Sequence, residues 1–202
     1  MTSYRELTVA AFLDAVAAPE PAPGGGVAAA TTTALAAGLV AMAARFSHSR
    51  VGDADEIAER ADALRERALT LADEDAAAYA GVLAAYRLPR AAEDRREQIK
   101  DALERACEVP LQIAEVAAEV ATLAADIGAR GNPNLTGDAA TGAQLAVAAV
   151  RSATGLVLIN AGHGDLGPRP VERAGHLVAV AETVAEATAD GLAGGHRGDA
   201  DP

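Results

Sequence analysis

Two carboxylates stand where carboxylates are costly. Asp138 precedes the run AATGAQLAVAAV, which holds no other charge before Arg151, so an acid sits at the mouth of a helix that reads as buried. Asp75 falls on the apolar stripe of another predicted helix. It lies in register with Ile57, Ala61, Leu64, Ala68, Leu71, Ala78, Val82 and Ala85, which recur at helical spacing. An acid on such a stripe is destabilising unless it is paired, protonated or beside a wet cavity. Either a buried Arg or Lys compensates it, or its pKa rises into the range suited to acid–base work. Asp138 also has two readings. It is a charge that favours a helix N-terminus, with Thr136 as the N-cap, or it is a catalytic group.

Other residues could support such chemistry. Gly24, Gly25 and Gly26 open a predicted helix, so either they make a turn or their bare backbone lets a ligand approach free amides. No strand precedes them and no GK[ST] follows, which removes the dinucleotide and P-loop motifs. Asn132 and Asn134 flank Pro133, where side-chain amides either cap the turn or orient a polar heterocycle. Histidines 48, 163, 176 and 196 share no ligand spacing with each other or with Cys107, so no metal site is expected. The single cysteine reads as a packed thiol.

The elements that must position these groups are all helical. The chain has 202 residues, 50% of them hydrophobic but only 2% aromatic, so its core is built from Ala, Val and Leu. No period-2 pattern appears. The expectation is an all-α single-domain bundle of about six helices, near 9–18, 26–49, 54–87, 91–128, 137–161 and 171–191, with central small-residue helices. The domain spans 1–192, and 193–202 form a polar tail. Thr8 is the expected first N-cap, Asp53 and Glu56 have capping-box spacing, and Pro110 should kink the fourth helix. A net charge of −12 argues against nucleic acid and anionic membrane surfaces. Residues 27–44 are uncharged and nearly long enough to span a bilayer, but their Ala and Thr content favours a buried helix. The N-terminus lacks the pattern of a secretory signal, so the cytoplasm is the expected location.

Four blocks in register carry a resemblance: FLDAVAAPEPAPGGGVAAA at 12–30, DEDAAAYAGVLAAYRLPR at 73–90, VPLQIAE at 109–115, and GNPNLTGDAATGAQLAVAAV continuing to GLVLIN at 131–160. Together they resemble the cyclodeaminase/cyclohydrolase proteins that act on one-carbon tetrahydrofolates. The resemblance implies an all-helical homodimer. It also implies a folate site where the Gly-rich turn, the third helix and the GNPN turn converge, and no cofactor beyond the tetrahydrofolate substrate. Asp138 matches the favoured catalytic acid and Asp75 a second acidic position. Gly24, Gly25, Gly26 and Asn134 match ligand-contacting motifs. Two positions depart from the pattern. Gly137 stands where the family has Ser, and FSHSR at 46–50 replaces a run of lysines, leaving His48, Arg50 and Arg45 to meet an anionic folate tail.

The implied chemistry is a cyclodeaminase reaction, in which N10 attacks the formimino carbon on N5 and ammonia leaves, or a cyclohydrolase reaction, in which water opens the methenyl bridge. The two departures motivate a competing expectation, a helical binding or scaffold protein that keeps the fold without this chemistry.

Overall fold

The computed structural model describes residues 3–195, with side chains through residue 188. Among them are six α-helices and no strand: α1 (Val9–Ala17), α2 (Gly25–Arg45), α3 (Ala54–Arg87), α4 (Arg95–Arg130), α5 (Thr136–Gly164) and α6 (Arg169–Gly195). Short 3-10 turns at Tyr4–Glu6 and Pro133–Leu135 precede α1 and α5. The all-α expectation holds, with shifted ends. The last helix continues through Gly195, into the expected tail, and His196 lies outside the described residues.

The bundle has two layers. α2 and α5 form one layer, packed onto α4, with α3 flanking α2 and α6 flanking α5. α2 and α5 run antiparallel, because Gly25 meets the Leu156 side chain while Gly142 lies against the Ala36 carbonyl. Small residues make this approach possible: Ala30, Ala36, Ala37, Ala41, Ala143 and Ala146 are all buried. Every apolar member of the predicted α3 stripe is buried too. α2 and α5 are each long and apolar enough to cross a bilayer, but 61% and 50% of their apolar windows are buried inside the bundle.

Two local expectations are corrected. Thr8 does cap α1, accepting from the Ala11 amide at 3.2 Å. Asp53 occupies the N-cap of α3 but makes no capping bond. Its carboxylate is taken by Arg130 at the end of α4, at 2.9 and 3.1 Å, and this guanidinium also holds its pKa below the ordinary range. A forked, charge-assisted pair competes successfully with a single backbone N–H. Thr136 is not the cap of α5 either. It is the first helical residue, with Leu135 at the N-cap, and its hydroxyl donates to the Pro133 carbonyl at 2.9 Å.

α2 ends at Arg45 rather than Ser49 because Ser47 has another task. Its fully buried hydroxyl donates to the Ala43 carbonyl at 2.7 Å and accepts from the Asn132 backbone amide at 2.9 Å. The Asn132 side chain then donates to the Phe46 carbonyl at 3.3 Å and accepts from the Asn134 amide at 3.1 Å. The GNPN turn is thereby latched to the C-terminal end of α2. Gly131 must be bare for this: a Cβ there would lie 2.3 Å from the Ile127 carbonyl oxygen and 2.7 Å from the Ser47 hydroxyl. Ser47→Ala leaves the Asn132 amide without its partner. It should cost about 1–2 kcal/mol, read as a lower urea midpoint at unchanged slope.

Candidate active site

The third helix brings Asp75 to the first turn of α2. That turn has no cap of its own, since the N-cap residue is Gly24 and no side chain bonds its amides from within the segment. Asp75 stands where such a cap would be. In place of a buried Arg or Lys, the carboxylate faces a helix N-terminus. A Cβ on Gly26 would fall 2.1 Å from the Asp75 Oδ1, so only glycine leaves room for the carboxylate. Burial pushes the Asp75 pKa up and the Val27 backbone amide pulls it partly back, leaving it at about 6.

Asp75, Gly24, Gly25 and Gly26 line one cavity of about 320 Å3, the lower end of ligand-sized pockets. Pro21 and Ala22, Tyr79 of α3, Ala106 and Pro110 of α4, and Leu156, Ile159 and Asn160 of α5 complete its walls. Tyr4 stands nearby, its phenol pushed up by burial and then by the Asp73 and Asp75 carboxylates. Sequence reasoning did not single out Tyr4, Tyr79 or Asn160. The signal for Asn160 was present. Pro110 lacks an N–H, so the carbonyl four residues earlier, that of Ala106, needs another donor. α4 runs on through Pro110, and Asn160 Nδ2 supplies that donor at 2.6 Å.

The other predicted site residues lie elsewhere. Asn134, Asp138, His48 and Arg50 cluster at the opposite end of α2, around the GNPN turn. Asp138 is half-buried in the first turn of α5, without a hydrogen bond to its carboxylate among the described residues. His48 is exposed, with Nδ1 3.1 Å from the Arg45 carbonyl oxygen. Arg50 is exposed, and Arg45 is paired with Asp62. From Asp138 to Leu156, which borders the glycine turn, α5 climbs about 27 Å. The expected convergence of glycine turn, third helix and GNPN turn is therefore corrected within one chain: the first two meet, and the third is a helix length away.

Cys107 is buried with its thiol 3.7 Å from the Val157 carbonyl oxygen, and burial pushes its pKa up. A thiol held this way is not a nucleophile. Among the described residues no three His, Cys, Asp or Glu side chains are grouped to hold a metal ion.

A family model described as formiminotransferase-cyclodeaminase matches residues 8–165. Methenyltetrahydrofolate cyclohydrolase of Methylorubrum extorquens is 34% identical over 164 residues, covering 76% of this chain and 79% of that protein. Formimidoyltransferase-cyclodeaminase of Rattus norvegicus is 29% identical over 168 residues, covering 78% of this chain but only 31% of that longer protein. The crystal structure of formiminotetrahydrofolate cyclodeaminase from Thermotoga maritima superposes with a TM-score of 0.86 at 26% identity, over 94% of this chain and 98% of that one. A match over most of the chain, in sequence and in fold, settles the relationship: the chain belongs to the formiminotransferase-cyclodeaminase family.

Proposed function

We propose that the protein is a one-carbon folate enzyme that makes or opens the methenyl bridge between N5 and N10 of tetrahydrofolate. The observation that carries this reading is Asp75, a carboxylate with a pKa of about 6, facing an uncapped helix N-terminus inside a ligand-sized cavity. In the cyclodeaminase direction N10 attacks the formimino carbon on N5, and Asp75 relays the N10 proton to the imino nitrogen. A second proton from solvent then lets that nitrogen leave as ammonia, and the methenyl cation remains. In the cyclohydrolase direction water adds to the methenyl carbon. The carboxylate takes a proton from it; as the N5–carbon bond breaks, N5 keeps the electron pair and gains that proton, while the hydroxyl on the carbon releases its own to solvent and becomes the formyl carbonyl on N10. Both routes pass through one tetrahedral carbon, so one pocket serves either.

The reading includes a soluble, cytoplasmic homodimer that binds neither nucleic acid nor membrane and uses no cofactor beyond its folate substrate. The α2/α5 layer is covered on one side only. α2 carries no charge from Gly25 to Ala44, and α5 carries only Asp138 and Arg151 before His163. Leu35 and Ile159 are 62% and 55% exposed, and α1 displays Val9, Leu13 and Val16 while burying none of its residues. A face about 30 Å long and two helices wide is large enough for a stable dimer. A two-fold axis lying in this face and perpendicular to α2 and α5 would set the Asp75 end of one protomer beside the partner subunit's Asp138 end. The two carboxylates, Asn134, His48 and Arg50 would then share a site that one chain leaves divided, with Asp138 passing the solvent proton and the basic residues meeting the folate tail.

Mixing the protein with 5,10-methenyltetrahydrofolate, and separately with 5-formiminotetrahydrofolate, tests the activity through the methenyl absorbance. Loss of the band above the uncatalysed rate identifies a cyclohydrolase, and its appearance with ammonia a cyclodeaminase. Silence in both from folded protein would favour the scaffold reading. Asp75→Asn should lower kcat about 10²- to 10⁴-fold, and Gly26→Ala, by displacing that carboxylate, should act in the same direction. The rate should fall as pH drops below about 6, because Asp75 must be charged to take the first proton.

The same group gives a stability signature. Its folded pKa of about 6 lies above the unfolded value of 3.8, so the folded state holds the proton more tightly. Wild-type stability is therefore lost as pH rises from about 4 to about 6. Asp75→Asn should be more stable above that window by about 1–2 kcal/mol after allowance for partial exposure, and no more stable below it. For the shared site, mixing Asp75→Asn with Asp138→Asn subunits should recover up to about a quarter of wild-type activity, since one site of each mixed dimer is intact. No recovery from subunits shown to exchange would place both roles in one chain.

A further inference from the structure

Pro110 and Asn160 form a pair whose cost a simple prop does not explain. A proline inside a helix is destabilising and strands the Ala106 carbonyl. Asn160 answers that carbonyl from the neighbouring helix at 2.6 Å. An alanine at 110 would close the helix ladder and leave Asn160 with nothing to support. The pair does one thing that an unbroken helix cannot: it fixes which way the Asn160 amide points. A carbonyl only accepts, so the group facing Ala106 has to be the NH2, and the other end has to be the oxygen.

That oxygen is available. No protein donor reaches Asn160 Oδ1 among the described residues, yet it is not sealed in, since the buried unpartnered side-chain atom of this structure is Thr154 Oγ1. Asn160, Ala106 and Pro110 all line the cavity that holds Asp75. Resting on the folate reading above, we infer that Asn160 is a specificity-determining residue, whose locked carbonyl oxygen accepts from the amino-pyrimidinone edge of a reduced pterin. Tetrahydrofolate carries an amino group and a ring N–H on that edge. An amide free to flip would offer either a donor or an acceptor there. A pinned amide offers only the acceptor and rejects a ring that presents a lone pair or a methyl group in its place.

A two-by-two set separates recognition from support: wild type, Asn160→Ala, Pro110→Ala and the double variant. Each is titrated with 5,10-methenyltetrahydrofolate and with its 2-desamino-2-methyl counterpart, and kcat and KM are measured on the former. Pro110→Ala returns an N–H to the Ala106 carbonyl, so the double variant keeps its fold whether or not Asn160→Ala alone does. The expected result is a wild-type preference for the amino compound of about tenfold or more. Asn160→Ala abolishes it in both backgrounds, mainly through KM. Pro110→Ala alone, with its amide unpinned, gives an intermediate preference. If the double variant instead regains wild-type KM and preference, Asn160 is only a prop for Ala106 and the inference falls. If wild type prefers the amino compound and Asn160→Ala does so equally, the edge is read by another group and the inference falls alone. If folded wild type binds neither compound, the folate reading fails and takes this inference with it.

Discussion

A helix N-terminus presents amides that need an acceptor, and α2 brings none of its own. It opens on glycines, its N-cap is Gly24, and the acceptor comes from Asp75 on another helix. Much of the site follows from that. Gly26 must lack a side chain, because a Cβ would sit inside the carboxylate. α3 must point an acid inward from a stripe that is otherwise Ala, Leu, Ile and Val. The burial that makes this acid costly also leaves its pKa near 6, where a carboxyl can both take and give a proton close to neutrality. The group that faces the α2 N-terminus is the same one whose burial costs stability and raises its pKa.

The composition explains how such a site can be built without large side chains. Alanine loses no rotamer freedom when it is buried, and helices faced with alanine approach closely. α2 and α5 pack so that Gly142 touches the Ala36 carbonyl. In a frame of this kind a cavity is opened by leaving side chains out, at Gly24 to Gly26, and by displacing a helix from its own hydrogen-bond ladder, at Pro110. Aromatic residues enter only at the rim, as Tyr79 does, or beside the site, as Tyr4 does.

What the sequence made legible was periodic or local. The α3 stripe, the Thr8 cap, the buried character of α2 and the placement of Asp75 beside the glycine turn are all visible in spacing or in the matched blocks. What it hid depended on distant partners. The Asp53 capping box fails because Arg130, 77 residues away, claims the carboxylate. Ser47 looked like an ordinary residue in FSHSR, yet it anchors a turn 85 residues later. The GNPN turn and the glycine turn lie apart within one chain for a geometric reason, since motif order does not say that two motifs lie at opposite ends of an antiparallel pair. Asn160 drew no reading of its own, and Pro110 was read as a kink. The more useful question was which donor answers the carbonyl that a proline sets free.

Charge placement bears on how the two ends could act together. The chain has 46 charged residues, 17 basic and 29 acidic, and almost none of them fall on α2 or α5. A lipid-facing helix would be expected to carry large aliphatic side chains outward, whereas these two carry Ala, Gly, Ser and Thr with a few leucines and one isoleucine, Ile159, between them. Such a surface gains little from lipid and much from close approach of another helix pair. Asp75 and Asp138 mark its two ends. The separation of the two carboxylates within one chain is then a consequence of the antiparallel α2/α5 pairing.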